Sequence, residues 1–258
     1  MENKTYMLWE NPPYIKDSEG DFRPSVTEFK VNDNKTAVIV CPGGGYGCKA
    51  DHEKNPIAEM FNRHGINAFT LDYNVTPCNK MAPLSDLQRA IRTLRSLGYE
   101  KVGICGFSAG GHLVCSGATL YNYPAYEMAD ETDKLSARPD ACIACYPVVT
   151  MDESFTHMGS RTNLLLKDWD NRSLVELLSC EKHVTKDTPP CFIWHTADDE
   201  AVPVRNSMEL ATALLKNGVR VELHIFPTGC HGLGLAYDRN DIGIWSDCAC
   251  TFLKNIGF

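Results

Sequence analysis

No stretch of 18 consecutive apolar residues occurs in this 258-residue sequence, so the length needed to cross a bilayer as a helix is missing. No block of basic residues occurs either. With 25 Lys and Arg against 33 Asp and Glu the formal net charge is −8, whereas nucleic acid and anionic membrane recruit clustered cations that neutralise phosphates. Neither is expected as a partner. The opening decapeptide, Met1 to Glu10, has no apolar run of signal-peptide length, and the expectation drawn from it is a cytoplasmic protein. Internal repeats and linker-like Pro/Gly/Ser tracts are also missing, so the chain is expected to form one domain over residues 1–258. A chain of this length buries a core without covalent or metal staples.

Cysteine, by contrast, is abundant at twelve residues. In a reducing compartment thiols stay unpaired and serve as small buried apolar groups. The close pairs are Cys142/Cys145 and Cys248/Cys250. A tetrahedral zinc site wants two such knuckles with converging ligands. One pair inside a strand-like run points its thiols to opposite faces, so no metal is expected.

Short β-branched runs alternate with amphipathic stretches. Strands are expected at Thr36–Cys41, Ile66–Tyr73, Lys101–Phe107, Ala141–Val149, Cys191–Thr196 and Arg220–Phe226. Helices are expected at Pro56–His64, from Pro83 to Gly98, at Ala109–Leu120, at about Val204–Asn217 and near Trp245–Asn255. In the second of these Leu84, Leu87, Ile91, Leu94 and Leu97 recur on one helical face. Nearly continuous apolar strands alternating with helices imply an α/β fold: a mostly parallel central sheet with helices on both faces. Ligands then sit at the carboxyl ends of the strands. Two polar segments, about 121–140 and 151–190, interrupt the rhythm and read as lid-like insertions.

Gly106-Phe-Ser-Ala-Gly110 is a Gly-x-Ser-x-Gly pentapeptide. At ordinary residue frequencies it arises by chance in roughly one chain in ten of this length, so the context decides. A strand runs into it and an apolar helix leaves it, the strand–elbow–helix setting that exposes a serine hydroxyl at the top of a sheet. A serine needs a base to accept its proton and an acid to orient that base. Past the strand at 191–196 stands Asp198, followed by Asp199; past the strand at 220–226 stands His231. Both lie where strand ends would deliver them. An oxyanion needs backbone N–H donors. Ala109 supplies one, and the Pro42-Gly43-Gly44-Gly45-Tyr46 loop can supply others. A phosphate-binding loop fails on spacing, because no Gly-x-x-x-x-Gly-Lys-Ser/Thr occurs and Gly43-x-Gly45 leads to Cys48.

Together with Gly106 to His112, Tyr146-Pro-Val-Val-Thr150, Thr188-Pro-Pro190, His195-Thr-Ala-Asp-Asp199, Val202-Pro203 and Glu222-Leu-His-Ile-Phe226 leading to His231-Gly232, this loop resembles the α/β-hydrolase esterase/lipase family. The nearest likeness is to its acetylxylan-esterase-like, carbohydrate-esterase branch, over residues 36 to 256. The resemblance implies the α/β-hydrolase fold, Ser108 as nucleophile, Asp198 as acid, His231 as base, and Gly44, Gly45 and Ala109 as oxyanion donors. It also implies hydrolysis of short acyl, above all acetyl, esters through an acyl-enzyme. The partner is then a small ester, sugars or xylo-oligosaccharides among them, and the chemistry calls for no metal or organic cofactor. A homo-oligomer is compatible with all of this. Asn74 follows Tyr73 where many relatives carry Arg, and Cys230 precedes His231 where glycine is usual.

Asp199 competes with Asp198 for the acid. His195, His112 and His224 read as structural, Tyr46 reads as packing or as the border of an acyl pocket, and Asp86, Arg89 and Arg92 read as a solvated helix face. A serine peptidase, an arylformamidase-type amide hydrolase and an inactive hydrolase-fold binding protein are the competing functions.

Overall fold

The computed structural model describes residues 3–13 and 22–258; residues 1 and 2 of the N-terminal decapeptide lie outside it. Two strands lead: β1 (Thr5–Met7) and β2 (Ser25–Phe29). There follow β3 (Thr36–Cys41), α1 (Asn55–Arg63), β4 (Asn67–Asp72), α2 (Ala82–Ser96), β5 (Lys101–Phe107), α3 (Ala109–Thr119) and β6 (Ala141–Cys145). The chain continues through α4 (Met158–Leu165), α5 (Arg172–Leu177), β7 (Cys191–Thr196), α6 (Arg205–Lys216), β8 (Val221–Phe226), α7 (Asn240–Gly243) and α8 (Trp245–Asn255).

The strands form one sheet in the order β1-β2-β4-β3-β5-β6-β7-β8. From β4 to β8 every pairing is parallel; β2 runs antiparallel to β4 and β1 antiparallel to β2. The antiparallel pair was not foreseen in the sequence. Its strands are short and only partly buried, and they lack the long apolar run that marks the parallel strands.

Burial on both faces explains the continuous apolar strands. Along β3, Ala37, Ile39 and Cys41 join the cluster with α2, α3 and α6, while Val38 and Val40 join the one with α1 and α8. Along β7, Cys191 and Ile193 face the first cluster, Phe192 and Trp194 the second. Successive strand side chains alternate faces, so a strand covered on both sides reads as apolar throughout. The same alternation separates the thiols of β6: Cys142 lies in the first cluster and Cys145 in the second.

β6 is shorter than expected. At Tyr146 the backbone turns to φ 35°, and its N–H donates to the Trp194 carbonyl at 2.7 Å, so the chain leaves the β5–β6 ladder there. The 121–140 segment leans on α2: Gln88 Nε2 donates to the Leu120 and Tyr123 carbonyls, and Arg92 donates to the Tyr126 hydroxyl. It begins beyond the far end of α3, about 16 Å from Ser108 at the usual helical rise. The 151–190 segment, carrying α4 and α5, returns over the strand ends instead.

The solvated face expected on α2 is corrected at two positions. Asp86 and Arg89 are both buried. Asp86 accepts from the backbone and side-chain nitrogens of Asn74. Arg89 donates to the Leu8 carbonyl and pairs with Asp130 and with the fully buried carboxylate of Asp133. A charge can sit inside when its partners satisfy it; spacing alone identifies the apolar stripe but not such pairs. Replacing Arg89 by Met leaves Asp133 without its cation, and a loss of about 3 kcal/mol in unfolding free energy is expected, read from urea midpoints of the variant and the wild type.

Candidate active site

The site is assembled where β5, β6, β7 and β8 end. β5 runs into Ser108, which adopts φ 53°, ψ −115° before α3 begins. A non-glycine residue in this region is strained by about 1–3 kcal/mol, so neighbours must hold it. Ser108 N–H donates to the Cys145 carbonyl at 3.0 Å, and its own carbonyl accepts from His112 N–H at 3.0 Å and Val148 N–H at 3.1 Å. The flanking glycines are sterically required. A Cβ at Gly106 would lie 2.1 Å from the Gly110 carbonyl oxygen, and one at Gly110 would lie 2.2 Å from that of Cys41.

His231, on the loop after β8, places Nε2 at 2.7 Å from Ser108 Oγ. Its Nδ1 lies 2.7 Å from Oδ2 of Asp199. The structure thus brings Ser108 and His231 together, as the spacing anticipated. It corrects the acid: the carboxylate against His231 is that of Asp199, not Asp198. Asp198 Oδ1 instead accepts the Gly229 N–H at 2.7 Å, which pins the loop that carries His231. The choice between neighbours is made by the turn after β7. Asp199 Oδ1 accepts the N–H groups of Ala201 and Val202, both at 2.9 Å, an Asx-type turn that rotates the other oxygen inward. The run Asp199-x-x-Val202-Pro203 was the available signal.

Asp199 is 7% exposed. Burial pushes its carboxyl up, but hydrogen bonds from His195 and His231 and from Val202 N–H outweigh this and hold it well below the usual carboxylate range. It is therefore ionised at neutral pH. His195 is itself fully buried. Its Nε2 is 3.0 Å from the Val202 carbonyl and 3.2 Å from Asp199 Oδ2, and its Nδ1 is 2.8 Å from Ser207 Oγ. An N–H must face the carbonyl, so the proton is on Nε2 and is shared with Asp199.

The glycine loop passes beside the serine. Gly44 has φ 126° and Gly45 φ 62°, and a Cβ at Gly44 would meet the Cys48 carbonyl at 2.3 Å. Among the described residues no acceptor takes the N–H of Gly44 or Gly45, whereas Gly43 N–H is committed to Glu53 Oε2 at 2.8 Å. Ala109 opens α3, where first-turn N–H groups have no intrahelical acceptor. The loop reaches Ser108 through Gly43, where a Cβ would lie 3.0 Å from the serine Cβ, and Ala109 follows the serine directly.

Two residues that the sequence did not single out for the site hold it from behind. Glu53, 2% exposed, accepts both Gly43 N–H and the Tyr146 hydroxyl, the latter at 2.6 Å. Tyr146 accepts Gly234 N–H at 2.8 Å, and its ring meets that of His231 edge-on at 5.0 Å. Glu53 lies in a polar stretch that offered no periodicity. Tyr46 is buried, its hydroxyl 2.7 Å from His112 Nδ1, and His112 Nε2 lies 2.8 Å from the Leu178 carbonyl. The carbonyl fixes the proton on Nε2, so Tyr46 donates to Nδ1; both residues serve packing. His224 is on β8, paired with Glu222.

The chain matches the family model BD-FAE over residues 27–214. It is 35% identical over 252 residues to endo-1,4-beta-xylanase B of Butyrivibrio fibrisolvens, covering 93% of this chain and 39% of that protein. It is 31% identical over 236 residues to an acetylxylan esterase of Xylanibacter ruminicola, covering 88% and 45%. The chain thus spans less than half the length of these curated relatives. Among solved structures, an acetyl ester-xyloside bifunctional hydrolase from Caldicellulosiruptor lactoaceticus superposes with TM-score 0.91 at 39% identity, covering all of this chain and 97% of that one. A carboxylesterase of Lactobacillus plantarum superposes with TM-score 0.77 at 25% identity, covering 100% and 98%.

Burial lowers the pKa of His112 from 6.5 to about 4. Its folded value lies below its unfolded one, so the stability it contributes is present above pH 6.5 and is lost as pH falls toward 4. Between pH 7 and 4 the wild type is expected to lose about 3 kcal/mol more than His112→Gln, measured by urea unfolding at each pH.

With the family model matching most of its length and the sheet superposing on those of esterases, the chain belongs to the BD-FAE family and has the α/β-hydrolase fold.

Proposed function

We propose that the protein is a serine carboxylic-ester hydrolase acting on short acyl esters, acetyl esters of sugars and xylo-oligosaccharides foremost. The observation that carries this reading is the relay from Ser108 Oγ through His231 to Asp199, with 2.7 Å at each step. Hydrogen-bond reach on both sides of the imidazole is what an activated serine requires.

In the reaction Ser108 Oγ attacks the ester carbonyl carbon while His231 Nε2 takes its proton. The imidazolium is stabilised by Asp199, whose carboxylate stays ionised throughout. Charge developing on the carbonyl oxygen is met by the N–H groups of Ala109, Gly44 and Gly45, and the start of α3 adds its positive dipole end. The tetrahedral intermediate collapses as His231 returns the proton to the leaving alcohol. Water then attacks the acyl-serine, His231 again acting as base, and the acid and free Ser108 are released.

The substrate class is supported by the relatives, an acetylxylan esterase and an acetyl ester-xyloside bifunctional hydrolase. The twelve free thiols, nine of them buried, favour a reducing compartment, where small acetylated sugars rather than polymeric xylan are at hand.

Ser108→Ala is expected to abolish hydrolysis of p-nitrophenyl acetate and labelling by a fluorophosphonate; wild-type rates in that variant would end the proposal. The two aspartates separate in the same assay. Asp199→Ala is expected to lower kcat by roughly 10³- to 10⁴-fold, while Asp198→Ala, which only loosens the His231 loop, is expected to cost about tenfold or less. The reverse order would return the acid role to Asp198. Comparing acetylated xylo-oligosaccharides with aryl acetates and formyl-amides tests the substrate class; indifference to the sugar esters beside strong activity on the others would refute it.

A further inference from the structure

His157, beside the site, has no part in the mechanism. His157 precedes α4 and caps it: Nδ1 accepts the Ser160 N–H at 3.2 Å and lies 2.8 Å from Ser160 Oγ. A backbone N–H can only donate, so Nδ1 is the acceptor and the proton of the neutral ring is on Nε2. Among the described residues nothing accepts from Nε2.

The ring lies between the first turn of α4 and the glycine loop. Its Cε1 would be 3.0 Å from a Cβ at Gly159 and 3.8 Å from one at Gly45. Asn163, one and a half turns along α4, donates to the Gly45 carbonyl at 2.9 Å, so α4 and the glycine loop are docked together and His157 sits at their seam. Burial lowers its pKa, His231 lowers it further, and Asp199 opposes them; the ring is therefore within electrostatic reach of the triad.

Resting on the esterase reading above, we infer that His157 is a substrate-binding residue whose Nε2–H donates a hydrogen bond to a hydroxyl of the alcohol half of the ester. The chemistry of an acetyl ester leads there. The acetyl group carries one strong acceptor, the carbonyl oxygen, and the glycine-loop and Ala109 donors take it. A further N–H beside the same loop finds its acceptor in the alcohol, and a sugar offers several hydroxyls. Capping accounts for Nδ1 only. A shorter capping residue would serve α4 equally well without presenting a second polar edge.

Asn at position 157 separates the two roles, because its side-chain oxygen still caps α4 while the distal donor is gone. The measurement is kcat/KM, which reports the steps through acylation, on a monoacetylated xylobiose and on p-nitrophenyl acetate, whose leaving group has no hydroxyl. His157→Asn is expected to lose roughly tenfold on the sugar ester and less than about twofold on the aryl ester, with an unchanged thermal midpoint. His157→Ala is expected to show the same selective loss together with a lower midpoint. Wild-type values for His157→Asn on both substrates, or equal losses on both, would overturn the inference. Loss of the esterase reading itself has a separate signature, undiminished p-nitrophenyl acetate hydrolysis by Ser108→Ala.

Discussion

The turn at Ser108 is the constraint on which the site rests. A helix must leave the end of a central parallel strand within one residue, and that residue must carry a hydroxyl, so a non-glycine backbone is driven to φ 53°. The strain is held because Cys145, His112 and Val148 all bond the serine backbone and because Gly106 and Gly110 let the strand and helix approach closer than any side chain would allow. β6 bends away immediately afterwards for the same reason. Its continuation is needed as Val148, which closes on the Ser108 carbonyl, rather than as another ladder residue.

From this turn the rest of the site follows by strand order. In a parallel sheet every strand delivers its loop to the same edge, and β5, β7 and β8 lie close enough that Ser108, Asp199 and His231 meet over a few ångströms despite being separated by 123 residues of sequence from Ser108 to His231. The helices matter less for chemistry than for burial. Those on one side fill the cluster around Leu87 and Leu113, and those on the other fill the cluster around Phe107 and Trp245.

Legibility in the sequence follows burial. Strands covered on both faces announce themselves as unbroken apolar runs, and β3, β5 and β7 were readable to the residue, with α8 near its observed bounds. The antiparallel strands β1, at the edge, and β2, beside it, have too little apolar surface to register. For the site, the pentapeptide and His231 were readable because glycines and strand ends bracket them. Asp198 and Asp199 were not separable, since adjacent residues in a turn share every sequence context and differ only in which carboxylate the Val202 and Ala201 amides rotate inward. The charged pairs of α2 were hidden for a related reason. A heptad-like pattern identifies what is apolar, whereas burial of Asp86 and Arg89 depends on partners from the N-terminal segment and from residues 130–133.

Glu53 gives the site a mechanical property. One carboxylate grips the glycine loop at Gly43, and through Tyr146 it also grips the loop bearing His231 at Gly234. The glycine loop and the His231 loop are thereby fastened to a common anchor. Opening either loop alone would strand a buried polar group, so the anchor couples the two loops. The α4 side is tied to the glycine loop more lightly, by the hydrogen bond from the Asn163 side chain to the Gly45 carbonyl, and it is the side on which the site is least constrained.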